Sequence, residues 1–164
     1  MLHIAHSLRE LSFGKLMEVY AESNRENAEE FWPELSEGER LLRTEQDFYQ
    51  YLHQGFFPVQ GAAYYIWEVD GAYVSALRLE PYRDGLLLEA LETAPAQRQK
   101  GYASALMASV LDTVGAQKIY SHVGKRNEAS LKTHLHCGFR RISEQAVYAD
   151  GSVNDRCCTL LYSR

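Results

Sequence analysis

The chain has 164 residues, 46% apolar and 24% charged, values that fit one soluble domain and exclude disordered, collagenous and coiled-coil chains. No window approaches the ~18 uninterrupted apolar residues of a membrane span, and Met1 to Ser7 lacks the basic start and apolar run of a signal peptide. The net charge of −5 argues against nucleic acid as a partner.

In chain order, Leu2 to Ala5 reads as a first strand. Ser7 and Glu10 form a capping box, predicting a helix over residues 8–23 with Leu8, Leu11, Leu16, Val19 and Tyr20 at helical spacing. Residues 24–43 read as a long acidic excursion with one short helix, and Thr44 as the cap of a second helix over 45–53. From Ala62 the period changes to two. Residues 62–69 and 72–79 flank Asp70-Gly71, the chemistry of a tight hairpin turn, and residues 86–93 add a third strand. Pro95 ends that strand. A helix over residues 100–114 stops at Gly115, residues 118–123 form a strand, and Asn127 caps a helix that stops at Gly138. Two strands, 139–148 and 157–162, close the chain across Asp150-Gly151. The predicted order, βααβββαβαββ, is an α+β fold with a mixed, mostly antiparallel sheet of about six or seven strands flanked by about four helices. No repeat or linker divides it, so residues 1–164 read as a single domain.

The net charge conceals two poles. Residues 22–47 hold nine acids against three arginines, whereas residues 98–141 hold eight bases against two acids. Cys137, Cys157 and Cys158 lack metal-ligand or disulfide spacing, which predicts no metal site and points to a reducing cytoplasm.

The basic pole contains Arg98-Gln99-Lys100-Gly101-Tyr102-Ala103 immediately before a helix. Exposed N–H groups and the dipole at a helix N-terminus favour an anion. Gly101 and Ala103 remove side-chain bulk there, and Arg98 and Lys100 add charge. The P-loop and dinucleotide fingerprints are both absent. Arg98-x-x-Gly101-x-Ala103 resembles the acyl-CoA pyrophosphate loop of the GNAT superfamily of N-acetyltransferases. Asn127-Glu128-Ala129-Ser130, followed by Cys137-Gly138-Phe139, resembles that family's Asn-x-x-(Ser/Ala)…Gly-Phe helix beside the pantetheine.

The resemblance implies a GNAT-like fold and acetyl-CoA as cofactor. It places the pyrophosphate at Arg98, Gln99, Lys100, Gly101, Tyr102, Ala103 and Ser104, and the pantetheine beside Leu91, Thr93, Asn127 and Ser130. It implies His134 where the family often has the Tyr that protonates the leaving thiolate. For a base, alternation along a strand puts Glu89 with Leu91 and Thr93 on one face, and Ala90 with Glu92 on the other. Glu89 is the first candidate and Glu92 the second. The acidic pole falls where the family binds its acceptor, so Phe31, Trp32 and Tyr65 become acceptor candidates through cation–π contact with a small cationic amine. The expected activity is acetyl transfer to a primary amine by direct attack, with no nucleic-acid or membrane partner. The alternatives are an inactive acyl-CoA-binding module and an enzyme acting on a protein N-terminus or lysine. The oligomeric state is left open, a homodimer included.

Overall fold

The computed structural model describes residues 1–115 and 117–164. The alternating segments Ala63–Val69 and Ala72–Tyr82 form strands β2 and β3, turned by Asp70 and Gly71 at φ 49° and 77°. Leu2–Ala5 is β1, Gly85–Thr93 is β4, Ile119–Gly124 is β5, Arg140–Ser143 is β6 and Cys157–Tyr162 is β9. These strands make one sheet in the order β1-β2-β3-β4-β5-β9-β6, in which only the β4–β5 pair is parallel. The last predicted strand, 139–148, splits. After a register shift near Ser143 the chain leaves the sheet, and β7 (Ala146–Val147) pairs instead with β8 (Val153–Asn154).

Helices α1 (Phe13–Val19), α2 (Ala21–Phe31) and α3 (Glu37–Tyr51) lie on one side of the sheet, and α4 (Tyr102–Val114) and α5 (Glu128–His136) on the other. Leu16, Tyr20, Leu52 and Phe56 pack with Tyr64, Ile66 and Ala76 on the first side. Leu106, Met107 and Val110 pack with Leu77, Leu88, Ile119 and Leu160 on the second. Each fully buried aliphatic side chain of this kind contributes roughly 1.5–3 kcal/mol.

The first half departs from expectation. Ser7 Oγ does donate to Glu10 Oε1 (3.1 Å), and the His6 N–H to Glu10 Oε2 (2.8 Å), but they close only a 3-10 turn at Leu8–Glu10. Ser12 caps α1 instead, and α2 starts afresh after Tyr20. The stretch 24–43 is not an excursion, because α2 runs to Phe31 and a complete capping box at Ser36 and Glu39 starts α3. Thr44 is therefore no cap. Its hydroxyl donates to the Arg40 carbonyl (2.9 Å) inside α3.

Two irregularities in β4 shape the molecule. Arg78 opposes Glu89 but Ala76 opposes Glu92, so β4 carries one extra residue against β3, with Ala90 at φ 53°. On its other edge, β4 pairs with β5 only from Leu86–Ile119 to Leu88–Ser121, and beyond that register the two strands are unpaired.

The start of this short pairing leaves no room for a side chain. A Cβ on Gly85 would stand 2.1 Å from the Lys118 carbonyl oxygen, which accepts the Leu86 N–H at 2.9 Å. Gly85→Ala is expected to cost about 1–3 kcal/mol, read as a lower midpoint in urea unfolding. An unchanged midpoint would contradict the close approach.

Candidate active site

The turn into α4 is built for an anion. Gln99 and Gly101 both have positive φ (61° and 79°), and no side chain caps the helix that follows. A Cβ on Gly101 would meet nothing within 4 Å. Glycine is thus demanded by the backbone angle, and the space before the free N–H groups is open. Arg98 forms an ion pair with Glu22, and its Nε donates to the Thr93 carbonyl (3.3 Å). Lys100 Nζ donates to Gln97 Oε1 (2.8 Å).

In front of this turn lies a cleft of about 670 Å³. Leu91, Glu92 and Thr93 of β4 form one wall, and Arg98, Gln99, Gly101, Tyr102, Ala103 and Ser104 the head. Asn127, Ser130 and Lys132 of α5 form the second wall, and Glu22, Ser23 and Glu26 of α2 close the side. Asn127 is fixed by its own cap, its Oδ1 accepting from the Ser130 N–H at 3.1 Å. Every residue expected at the cofactor except Lys100 lines this cleft. An uncapped helix N-terminus, an open glycine and an unpaired strand edge fit a long cofactor with a phosphorylated head.

The expected strand parity fails at the bulge. Leu91 packs on the α4 side, but Glu89 and Glu92 both lie on the side of α1, α2 and α3. The extra residue reverses the alternation between them. Glu92 lines the cleft, and burial raises its carboxyl above the ordinary range, against the lowering effects of a Ser23 hydrogen bond and the Arg98 charge. Glu89 does not line the cleft. It accepts from Arg78 Nε at 3.1 Å.

His134 is 1% exposed and absent from the cleft wall. Its Nδ1 lies 2.8 Å from the Ser130 carbonyl, so Nδ1 carries the proton. Its Nε2 lies 2.9 Å from Ser121 Oγ, which accordingly donates to it. Burial pushes its pKa below the ordinary value, more than the Ser130 hydrogen bond raises it. The neutral ring is committed on both nitrogens, which contradicts the expectation that it faces the cofactor sulfur. Ser130, one turn earlier on α5, does line the cleft, and its Oγ lies 3.3 Å from His134 Nδ1.

The aromatic acceptor candidates are elsewhere. Phe31 is 65% exposed at the end of α2, Trp32 lies under the Arg43 guanidinium (5.0 Å), and Tyr65 is buried in the α4-side core. None lines the cleft. Glu22, Ser23 and Glu26, which do, carry no motif; only the acidic pole indicated their neighbourhood. Cys137, half-buried, is held as a thiol by burial that raises its pKa. Among the described residues no helix is long and apolar enough to cross a membrane, and no cluster of metal-ligating side chains occurs.

Comparison with known proteins gives the family and the fold. Residues 8–139 match the model of the Acetyltransferase (GNAT) family. No curated protein sequence matches the chain. The PaiA N-acetyltransferase of Thermoplasma acidophilum, solved with coenzyme A, is 12% identical with a TM-score of 0.65, covering 100% of this chain and 99% of that one. The spermidine N-acetyltransferase of Vibrio cholerae, solved with CoA and spermine, is 19% identical with a TM-score of 0.62 and coverage of 99% and 95%. The ribosomal-protein-S18-alanine N-acetyltransferase of Escherichia coli is 16% identical with a TM-score of 0.62 and coverage of 99% and 94%. The fold is that of an acyl-CoA-dependent acetyltransferase. The chain belongs to the GNAT acetyltransferase family, whose usual co-substrate is acetyl-CoA.

His134 therefore makes a stability prediction. Its folded pKa lies below the unfolded value of 6.5, so the neutral ring's contribution is complete above 6.5 and drains away as pH falls below it. His134→Ala should cost about 1–3 kcal/mol at neutral pH, because Ser121 and Ser130 lose a buried partner. The gap between wild type and variant should narrow toward about pH 5. Urea unfolding at both pH values checks this, and a constant gap would refute the neutral assignment.

Proposed function

We propose that the chain transfers an acetyl group from acetyl-CoA to a primary amine, a small cationic one, by direct attack in a ternary complex. The observation that carries this reading is the meeting, in one cleft, of the uncapped α4 N-terminus and the half-buried carboxylate of Glu92. Arg98, Gln99 and the first N–H groups of α4 would hold the phosphates, and Asn127, Ser130 and the free edge of Leu91–Thr93 the arm. When bound, the cofactor supplies a thioester whose acetyl carbon the amine attacks and whose thiolate departs.

The chain's own groups handle charge and protons. Glu22, Glu26 and Glu92 draw a protonated amine to the cleft. Glu92, its basicity raised by burial, takes a proton from the bound ammonium and so frees the nitrogen lone pair for attack. The second proton, lost as the amide forms, ends on the departing sulfur. A thiol of pKa ~8.5 leaves without a strong acid, so a hydrogen bond from Ser130 suffices where many relatives have a Tyr. The His134 Nδ1–H bonds to Ser130 leave the serine's own hydrogen free. The Vibrio cholerae protein, a spermidine N-acetyltransferase solved with CoA and spermine, is in keeping with this class of substrate.

Acetyl-CoA should raise the melting temperature, and Gly101→Asp, which puts a negative charge into the open anion space, should abolish the rise. No rise at millimolar acetyl-CoA would remove the cofactor assignment. With a panel of amines, release of free thiol should follow. Glu92→Gln should lower kcat about 10²-fold or more and remove the acid limb of kcat/KM, which falls as Glu92 is protonated. A melting shift without thiol release from any amine would make the chain a binding module instead.

A further inference from the structure

Strand β4 is fastened to β3 on both sides of its extra residue. Before it, Arg78 Nε donates to Glu89 Oε2 at 3.1 Å. After it, Ser75 Oγ donates to the Glu92 carbonyl at 2.7 Å, and the Ala94 N–H to the Val74 carbonyl at 2.9 Å. Between these anchors Ala90 sits at φ 53°, an angle that favours glycine and that alanine keeps only when its surroundings compel it. The compelling contact comes from outside the strand pair. Tyr20 Oη donates to the Ala90 carbonyl at 2.7 Å, and Tyr64 Oη donates to Tyr20 Oη at 2.9 Å. Both side chains are buried, so water does not stand in for a lost hydroxyl without cost.

Tyr20 also stands at the joint of the N-terminal helices, closing α1 and opening α2. The first turns of α2 bring Glu22, Ser23 and Glu26 to the cleft, and the strand past Ala90 brings Leu91, Glu92 and Thr93. One phenol therefore ties together two walls of the same cleft. Ser23, Glu22 and Glu26 of α2 and Arg98 of the anion turn face the Glu92 carboxyl, which is half-buried among them. The extra residue is what puts Glu92 on this side of the sheet. The hydroxyl that fixes the bulge thereby fixes the carboxylate.

We propose that Tyr20, backed by Tyr64, is a positioning residue of the transfer: its hydrogen bond to the Ala90 carbonyl holds the strained bulge and so aims Glu92 at the acceptor nitrogen. This rests on the proposed acetyl transfer and on Glu92 as its base. Tyr20 does not line the cleft, and it acts through the backbone of β4. Its hydroxyl gives its hydrogen to Ala90 and takes one from Tyr64, so loss of either phenol loosens the hold. Without the tether, alanine relaxes toward negative φ and the carboxylate moves. A misplacement of about 1 Å costs on the order of 10²-fold in rate. Glycine keeps a positive φ at no steric cost, so Ala90→Gly removes the need for the tether. That rescue is a signature a merely structural tyrosine lacks.

The test follows acetyl transfer to the amine that the wild type uses best. Tyr20→Phe should lower kcat roughly tenfold to a hundredfold while keeping the acetyl-CoA melting shift, which certifies its fold. Tyr64→Phe should lower kcat less. Adding Ala90→Gly to either variant should recover most of the loss. If Tyr20→Phe fails to fold, Tyr64→Phe with and without Ala90→Gly carries the same comparison. A kcat unmoved by the tyrosine substitutions, or a loss that Ala90→Gly does not relieve, overturns the proposal. A carbon-13 NMR titration of the Glu92 carboxyl, its signal identified by its absence from Glu92→Gln, needs no turnover. Burial holds that carboxyl above its ordinary range in the wild type. Its pKa should fall in Tyr20→Phe, as the side chain gains water, and rise again when Ala90→Gly is added. A value that stays or rises in Tyr20→Phe also overturns the tether. If no amine is turned over, transfer falls, and the titration still decides whether Tyr20 sets the Glu92 carboxyl.

Discussion

The bulge at Ala90 is the constraint from which the rest of the site follows. A non-glycine residue at φ 53° in a strand is strained, and the surrounding core fixes it. Tyr20 donates to the Ala90 carbonyl at 2.7 Å, and Tyr64 donates to Tyr20 at 2.9 Å. Both phenols are buried, and desolvation pushes them up, Tyr64 to about 12, so they remain protonated donors at any physiological pH. α1 ends at this contact and α2 begins. The break in the N-terminal helix, the bulge and the aim of Glu92 are thus parts of one packing arrangement.

The parting of β4 from β5 is the second half of that arrangement. Ser121 marks its last rung, donating to His134 Nε2 at 2.9 Å with the Leu88 carbonyl 3.3 Å away. His134 therefore ties α5 to the point where the strands separate. Its place in the family motif suggested chemistry, but its burial makes it a structural tie. The serine one turn earlier lines the cleft in its place.

Charge follows the same geometry. The acidic and basic poles, separated along the chain, touch at the Arg98–Glu22 pair beside the cleft. Arg98 is half-exposed there, so the pair is worth little as a source of stability. Its consequence is positional: carboxylates of α2 stand next to the cation-rich head of α4, so one groove offers positive potential at one end and negative at its side. An anionic group and a cationic one are drawn to different parts of the same groove.

Local chemistry alone determined the hairpin at Asp70-Gly71, the stop at Gly115, the Asn127 cap and the anion turn before α4, because each depends on residues a few positions apart. It also pointed, through two spaced motifs, to the family, and ten of the eleven residues named from those motifs line the cleft. It misread the first helices, since Ser7-x-x-Glu10 and Ser36-x-x-Glu39 carry the same signal and only Ser36 opens onto a long helix, which packs against α2. Tertiary structure decided the rest. A single extra residue in β4 reversed the parity that separated Glu89 from Glu92, and a register slip is set by cross-strand pairing and by Tyr20 seventy positions away. Burial decided His134 in the same way, because a histidine's protonation follows from its solvent and partners, and those come from β5 and α5 together.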